Sequence, residues 1–404
     1  MKRRHPDTDS VSLGHDALRH LGSLKPPIYE TSTFVFSSAE EGKRFFAQTY
    51  GESGAGEEEP GYIYSRLDSP SLAPAEARLA AWEETDAAVI FNSGMAAISS
   101  VFLTFLRPGD LVLYSLPAYG GTVTLLTGLL SDFGVVTRPF RSGAGTDDLE
   151  LLVGDDHLAM VYVETPANPT NDIFDLQMAS AVASPHQALL VVDNTFLSPV
   201  WQKPTVHGAD LSLHSATKYL GGHSDLTAGA VCGGADSIAR LRRTRYEIGT
   251  TPSPATAWLL GRSLETLRLR VEKQTANATQ IAAHLAGHPK VSRVSHLSLL
   301  EPGDPRFDIY KRQCDGPGAM VSFEIDGGEE ECFRFLDEME VVRLATSLGG
   351  TESLASHPWT MSPPSVPEEE KRAIGVTPGL VRLSVGIEDA RDLITDLDQA
   401  LGAV

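Results

Sequence analysis

Cysteine is scarce in this chain. Its 404 residues include three cysteines, Cys232, Cys314 and Cys332, which are far apart along the sequence. So few and so scattered cysteines cannot supply a disulfide framework or a cysteine-rich zinc site. We therefore expect a protein of a reducing compartment that has no structural metal.

Positive charge and long apolar runs are also in short supply. Lys and Arg number 33 against 53 Asp and Glu, which gives a formal net charge of -20. This balance argues against nucleic acid or an anionic membrane as the main partner, because both require clustered basic residues. The basic start, residues 1–10, is not followed by the apolar segment of a secretory signal, and no run is long enough to span a bilayer. We expect a cytoplasmic protein.

The pattern along the chain predicts an α/β protein with three parts. Residues 1–60 are typical of an N-terminal arm, and such an arm either contacts a neighbouring subunit or is disordered. Residues 61–265 alternate short apolar runs with helical segments, which is typical of a buried and mostly parallel sheet. The apolar runs are residues 87–94, 110–121, 158–170, 188–195 and 209–218.

The last part, residues 266–404, is predicted to be a smaller α+β domain. A helical pattern over residues 258–287 leads into it. Within it, residues 318–326 and 380–387 have the character of strands, and residues 329–339 that of a helix. Length alone favours this division, since a chain of this size exceeds a single small core.

Lys218 lies just after a predicted strand, in the stretch LHSATKYLGGHSD. A lysine at such a position is either an ordinary solvent-facing residue or an amine nucleophile whose pKa is lowered by its surroundings. Local sequence alone favours the first interpretation, so the decision depends on what the other strand ends carry.

The other predicted strand ends carry polar residues that could act together with the amine of Lys218. Asp193 ends a fully apolar strand, and Ser93, Gly94 and Met95 lie between a strand and a helix, where backbone N–H groups can bind phosphate. Tyr119 and Asn168 follow two further strands. Each feature has an ordinary structural explanation, such as a helix cap, a turn glycine or a core tyrosine. Together with Lys218 they form the set that pyridoxal phosphate (PLP) requires: an amine, an acid for the ring nitrogen, a phosphate anchor and an aromatic cover.

The chain resembles the Cys/Met-metabolism (trans-sulfuration) family of PLP-dependent enzymes, which includes cystathionine γ-synthase, cystathionine γ-lyase and methionine γ-lyase. The resemblance runs from about residue 26 to the C-terminus, and its motifs occur in the order of the family. They are YSR (64–66), SGMAAI (93–98), YGGT (119–122), ETPANPT (164–170), VVDNTF (191–196), SATKYLGGHSD (215–225), SLGGTESLASHP (347–358) and RLSVGIED (382–389).

The resemblance implies PLP fold type I, similar to aspartate aminotransferase, and a role for each matching residue. Lys218 would form the Schiff base with the cofactor, Asp193 would hold the pyridinium nitrogen, and Tyr119 would stack on the ring and serve as an acid or base. The phosphate would be bound by Gly94, Met95, Ser215 and Thr217, and by Tyr64 and Arg66 from a neighbouring subunit of a dimer of dimers. The substrate carboxylate would be bound by Arg382, Ser347 and Asn168.

The implied reaction is γ-elimination or γ-replacement on a sulfur-containing or activated homoserine-type amino acid, through a vinylglycine-type intermediate. The alternatives are a γ-lyase for methionine or cystathionine, and a γ-replacement enzyme that uses an activated homoserine or S-adenosylmethionine. A PLP-binding protein without turnover is a third, remote reading. Gly121 stands where methionine γ-lyases usually carry Cys, whereas Trp359 and Pro363 depart from the family pattern in a segment expected near the distal end of the substrate.

Overall fold

A computed structural model of the protein describes residues 4–50, 61–362 and 367–404, which form two β-sheets with helices packed on them. The segment 51–60, part of the predicted arm, lies outside these residues, as does Pro363. The strands of the described part are β1 Ala87–Phe91, β2 Leu111–Ser115, β3 Val136–Phe140, β4 Leu158–Glu164, β5 Leu189–Asp193, β6 Leu211–His214, β7 Gly229–Gly233, β8 Val291–Ser295, β9 Met320–Ile325, β10 Arg343–Leu344, β11 Leu354–Ser356 and β12 Leu380–Ser384.

The helices of the same residues precede, separate and follow these strands. They are α1 Pro6–Ser12, α2 Ala39–Tyr50, α3 Ala73–Glu83, α4 Gly94–Phe105, α5 Gly120–Leu125, α6 Thr146–Val153, α7 Leu176–Ala183, α8 Ser198–Trp201, α9 Ala235–Ile248, α10 Pro254–Leu264, α11 Leu267–Ala286, α12 Pro305–Gln313, α13 Glu329–Glu338, α14 Glu368–Ala373 and α15 Ala390–Gly402. None of them is long and apolar enough to cross a membrane.

The larger sheet has the strand order β1-β7-β6-β5-β4-β2-β3. Strands β2 to β6 are mutually parallel, and β7 is antiparallel to both of its neighbours, β1 and β6. The predicted α/β class with a mostly parallel sheet is therefore confirmed. The sequence analysis did not predict β3, of which only the last residue is buried, or β7, whose sequence GAVCG consists of small residues. Neither has the continuous large apolar run that marks a central strand.

The helical pattern predicted over residues 258–287 is divided into α10 and α11. The division falls at Glu265 and Thr266. The carboxylate of Glu265 accepts hydrogen bonds there from Lys25 at 2.5 and 2.7 Å and from Arg78 at 3.1 Å. Periodicity cannot detect such a break, since both helices keep the same apolar spacing.

The first helix of the chain packs on its own subunit. Arg268 of α11 forms an ion pair with Asp7 of α1 at 2.9 Å, and the guanidinium of Arg78 donates to the carbonyl oxygens of Leu13 and Val11. The following residues carry large apolar side chains that are almost fully exposed, namely Leu18, Leu21, Leu24 and Val35.

The smaller sheet has the order β10-β11-β12-β9-β8 and packs against α11. Helix α13 contacts β9 through the rings of Phe335 and Phe323, and α15 packs on α11 and α13. Its central strands β9 and β12 pair in antiparallel register, with Arg382 opposite Ser322. One hydrophobic cluster runs without interruption from Leu79 of α3 and Leu260 of α10 to Val321 of β9. The smaller sheet is thereby held at a fixed place beside the ends of the parallel strands.

Candidate active site

The carboxyl ends of three adjacent strands bring the central polar residues together. Glu164, the last residue of β4, is the register partner of Asp193, the last residue of β5, and β6 lies next to β5. Lys218 follows β6 by four residues. Ligands of open parallel sheets bind at this edge, where the chain leaves the strands.

Asp193 is a buried carboxylate that two neighbouring side chains hold in place. Its Oδ1 accepts from the backbone N–H and the hydroxyl of Thr195 at 3.1 and 2.5 Å, and its Oδ2 accepts from the hydroxyl of Tyr162 at 3.1 Å. Burial raises the pKa of Asp193. The sequence analysis did not identify Thr195 or Tyr162. Thr195, two residues after the acid, could have been found as a local hydrogen-bond donor.

Lys218 does not point to solvent as a surface lysine would. Its ammonium Nζ donates to the hydroxyl of Ser347 at 2.7 Å. Burial, and secondarily the charge of Arg382, lower its pKa to about 8. Ser347 has a φ of 100°, a left-handed conformation that is rare for a residue other than glycine and is typical of functional sites.

Arg382 is a half-buried cation whose described hydrogen-bond partners are neutral oxygens. Its Nη1 donates to Oδ1 of Asn168 at 2.7 Å and its Nη2 donates to the carbonyl oxygen of Ser347 at 3.0 Å. Its Nε is buried without a partner among the described residues, and no carboxylate there forms an ion pair with it. Burial lowers its pKa to about 10. The three residues predicted to bind a substrate carboxylate thus lie together.

Helix α4 begins with a cradle for an anion. The hydroxyl of Ser93 caps the helix by accepting from the N–H of Ala96 at 3.0 Å, and Gly94 and Met95 form the first turn, whose N–H groups have no acceptor within the helix. A Cβ on Gly94 would lie 2.8 Å from the hydroxyl oxygen of Ser215. Only glycine leaves this space open.

The second predicted hydroxyl of the cradle is already engaged. Thr217 donates to the carbonyl oxygen of Ala228 at 3.1 Å and accepts from the N–H of the same residue at 3.0 Å. Its proton is therefore directed away from an incoming anion, whereas Ser215 lies beside the open space of Gly94. Of the two hydroxyls, Ser215 is the better placed donor.

Tyr119 is half-exposed at the N-terminus of α5, and its backbone N–H donates to Oε2 of Glu164 at 2.7 Å. A Cβ at Gly121 would approach the Tyr119 ring to 2.6 Å and the sulfur of Met95 to 3.0 Å. Glycine at position 121 therefore leaves the ring in its place beside Met95, next to the anion cradle.

Tyr64 and Arg66 lie together on the surface, and their interactions in this subunit do not include Lys218. The Arg66 guanidinium carbon is 5.9 Å from the centre of the Tyr64 ring, and its Nη1 donates to the carbonyl oxygen of Tyr246 at 2.5 Å. Both side chains are accessible.

Trp359 does not present its ring to a substrate pocket. It is buried with Val376 and Leu380, and the cationic groups of Lys371 and Arg372 lie 5.3 and 5.0 Å from its ring centre. This departure from the family pattern therefore forms a small separate core. Pro363 lies outside the described residues.

These side chains fit one prosthetic group. A partly desolvated amine with a lowered pKa, a buried carboxylate with one further acceptor site, and a helix N-terminus kept open by glycine are the three anchors that pyridoxal phosphate needs. The fold and this set of residues define a PLP-dependent enzyme of fold type I.

Comparison with known proteins identifies the family. The profile described as Cys/Met metabolism PLP-dependent enzyme matches residues 7–402. The chain is 41% identical over 401 residues to the L-methionine gamma-lyase of Pseudomonas deceptionensis, with 98% of this chain and 97% of the relative covered. It is 38% identical over 384 residues to the cystathionine gamma-lyase of Bacillus subtilis, with 94% of each covered.

A solved structure agrees with these relatives. The cystathionine gamma-lyase of Lactobacillus plantarum complexed with L-serine superimposes with a TM-score of 0.89 at 33% identity, covering 99% of each chain. The chain belongs to the Cys/Met-metabolism family of PLP-dependent enzymes. The family, the fold class and the cofactor expected from the sequence motifs are confirmed.

Proposed function

We propose that this enzyme catalyses γ-elimination on a sulfur-containing amino acid of the methionine or cystathionine type. The observation that carries the proposal is Arg382, a half-buried guanidinium that forms no ion pair with a carboxylate among the described residues and whose Nε is buried without a partner there. A partly desolvated charge without an ion-pair partner in contact with it is unfavourable, so we infer that an anion arriving with the substrate binds here. The names of the relatives support the reaction class.

The proposal assigns residues to each part of the cofactor. Lys218 would bind its aldehyde, Asp193 its ring nitrogen, and Gly94, Met95 and Ser215, with Thr217 in a lesser role, its phosphate. Tyr119 would cover the ring. When bound, pyridoxal phosphate supplies an electron-accepting ring that stabilises negative charge at the substrate Cα.

The side chains of the protein would bind the substrate and transfer the protons. Arg382, positioned by Asn168 and Ser347, would bind the substrate carboxylate with its fork of N–H donors and so orient the Cα–H bond. Lys218 would take that proton at Nζ, and its lowered pKa makes the neutral amine accessible near pH 8. We assign to the hydroxyl of Tyr119 the proton that the departing sulfur needs.

Gly121 determines where the Tyr119 ring can lie. A side chain at this position would displace the Tyr119 ring, which lies 2.6 Å from the place of a Cβ. Glycine at this position lets the Tyr119 ring lie beside Met95. The relatives named L-methionine gamma-lyase and cystathionine gamma-lyase put both substrates in the proposal. The burial of Trp359 in its own core removes it as an obstacle to either substrate.

We further propose that the active enzyme is a dimer of dimers with shared sites. Tyr64 and Arg66 are exposed in one subunit and would reach the cofactor phosphate of a neighbour. The large exposed side chains of residues 18–35 would be covered by the same contact. The free cysteines Cys232, Cys314 and Cys332 support a reducing, cytoplasmic setting.

Product analysis tests the reaction. The purified holoenzyme is incubated with cystathionine or methionine, and 2-oxobutanoate and ammonia are measured without any added nucleophile. We expect both products to form at equal rates. Turnover only when an activated homoserine or S-adenosylmethionine is supplied with a second substrate would replace elimination by γ-replacement, and an unconsumed amino acid under all conditions would contradict an enzymatic function.

Arg382→Leu tests the carboxylate site in the same assay. We expect KM to rise by about a hundred-fold or more, because a charged hydrogen-bonded pair is lost. Arg391→Leu is the matched control, since Arg391 is exposed and pairs with Asp389 at the start of α15. Equal KM values for the two variants would remove Arg382 from the substrate site.

A further inference from the structure

Glu164 is a buried carboxylate that the proposed reaction leaves without a role. It ends β4 next to Asp193, is 4% exposed, and has no ion pair within hydrogen-bond distance among the described residues. Two buried carboxylates side by side repel each other, and their burial is unfavourable. A residue kept at this cost has a specific task.

Its two oxygens bind the backbone of two different loops. Oε2 accepts from the N–H of Tyr119 at 2.7 Å, and Oε1 accepts from the N–H of Asn168 at 2.7 Å. Tyr119 ends the loop that leads from β2 into α5, and the side chain of Asn168 accepts from Arg382. The Glu164 carboxylate thus connects Tyr119, which would cover the cofactor ring, with Asn168 and Arg382, which would bind the substrate carboxylate. We call the latter pair the Asn168–Arg382 clamp.

We propose that Glu164 is a positioning residue that sets the Tyr119 loop and the Asn168–Arg382 clamp at a fixed distance from each other. The inference rests on the proposed function, in which Tyr119 and Arg382 contact cofactor and substrate. Because both loops donate a short hydrogen bond to the same planar carboxylate, they have little freedom to move separately.

Opposing influences act on the protonation of Glu164. Burial, followed by the charge of Asp193, raises its pKa to about 8, whereas the N–H groups of Asn168 and Tyr119 and the charge of Arg382 favour the ionised form. Ser115, the last residue of β2, holds the same strand end, because its hydroxyl oxygen accepts from the N–H of Glu164 at 2.8 Å.

Glu164→Gln tests the proposal, because glutamine keeps the size but offers a single acceptor oxygen. One of the two backbone N–H groups is then left facing an NH₂ group. We expect kcat/KM to fall by about ten- to a hundred-fold, the range that an unsatisfied buried donor produces. The loss should divide between KM, through the Asn168–Arg382 clamp, and kcat, through Tyr119.

Two readouts do not depend on turnover. L-alanine carries the carboxylate but no γ-substituent, so its dissociation constant, titrated by the absorbance of the bound cofactor, reports the clamp without the loss of a leaving group. The visible circular dichroism of the cofactor band reports the placement of Tyr119 over the ring. We expect a weaker L-alanine affinity and a changed dichroic band in Glu164→Gln.

Asp396→Asn is the matched control. Asp396 is equally buried, and its carboxylate accepts from the N–H groups of Glu340, Val341 and Val342 at 2.8, 3.0 and 2.8 Å, in the smaller domain. Its loss should lower the melting temperature and leave KM and the dichroic band unchanged. If Glu164→Gln behaves in the same way, Glu164 is merely structural and the proposal is overturned.

The outcomes separate the two proposals. A wild-type enzyme that eliminates normally beside a Glu164→Gln enzyme of unchanged KM, L-alanine affinity and dichroism contradicts the positioning role alone. A wild-type enzyme that eliminates no sulfur amino acid contradicts the proposed function alone, since affinity and dichroism still test Glu164. If Glu164→Gln gives no soluble holoenzyme, the shorter Glu164→Asp replaces it, and wild-type values in that variant would overturn the proposal.

Discussion

At the scale of single residues, Lys218 shows how its surroundings turn an ordinary side chain into a base. Burial is the larger cause of its lowered pKa and the charge of Arg382 the smaller. The ammonium that remains below pH 8 is bound by the hydroxyl of Ser347, a neutral partner that compensates the desolvation only in part. The amine is thus prepared for reaction before any substrate is bound.

The pKa of about 8 predicts how the chemical modification of Lys218 depends on pH. We expect reductive methylation of Lys218 in the cofactor-free protein by formaldehyde and cyanoborohydride to accelerate as the pH rises, with a midpoint of about 8. The rate rises with pH because only the neutral amine, which is populated above the pKa, attacks the aldehyde. Peptide mapping by mass spectrometry follows the modification.

Arg382→Gln serves as the comparison in that titration. Removing the guanidinium removes a charge that lowers the pKa, so the midpoint should move to higher pH. A wild-type midpoint near the ordinary lysine value of 10.5 would show that the amine is not perturbed.

At the scale of elements, the start of α4 combines two properties that one residue cannot provide. Its first-turn N–H groups and the helix dipole attract an anion, and Gly94 keeps the approach to them open. The hydroxyl of Ser215, which comes from the loop after β6, completes the cradle. The anion site therefore exists only where two βα connections meet.

Gly94→Ala is expected to weaken the binding of pyridoxal phosphate by about tenfold or more, because overpacking of this kind costs on the order of 1–3 kcal/mol. The added Cβ would lie 2.8 Å from the Ser215 oxygen, so the loop must shift. Spectroscopic titration of the cofactor-free protein measures the dissociation constant. Gly128→Ala is the control, since a Cβ there meets nothing within 4 Å, and an equal affinity in both variants would contradict the cradle.

At the scale of the whole molecule, the two sheets contribute different parts of one site. The larger sheet provides Asp193, Glu164 and the loop that carries Lys218. The smaller sheet provides Arg382 on β12, and Ser347 lies in the loop between β10 and β11. The hydrophobic cluster that joins both sheets therefore also fixes the distance between base and carboxylate clamp.

Assembly is tested by mixing inactive subunits. Lys218→Ala lacks the base, and Arg66→Ala lacks the residue proposed to reach across the interface. If the sites are shared, each hybrid dimer contains one intact site and one doubly defective site, so random mixing should restore about a quarter of the wild-type activity. Mixing without any recovery would show that each subunit holds its own complete site.

The sequence predicted the polar strand ends because each follows a recognisable apolar run, as with Asp193 after residues 189–192. It could not predict that Glu164 would be the neighbour of Asp193, since register and strand order depend on the packing of the whole sheet. The roles of Tyr64 and Arg66, and the division of the chain at residues 60 and 265, stay predictions.

The sequence by itself determined the α/β class, the family, the cofactor and the chemical type of each site residue, because these depend on local patterns and on motifs of fixed spacing. Only the tertiary structure decided which groups meet: Ser347 with Lys218, Asn168 with Arg382, and Trp359 with its own core instead of a substrate pocket. These contacts join residues far apart in the chain, and the hydrophobic packing that brings them together is a property of the whole fold.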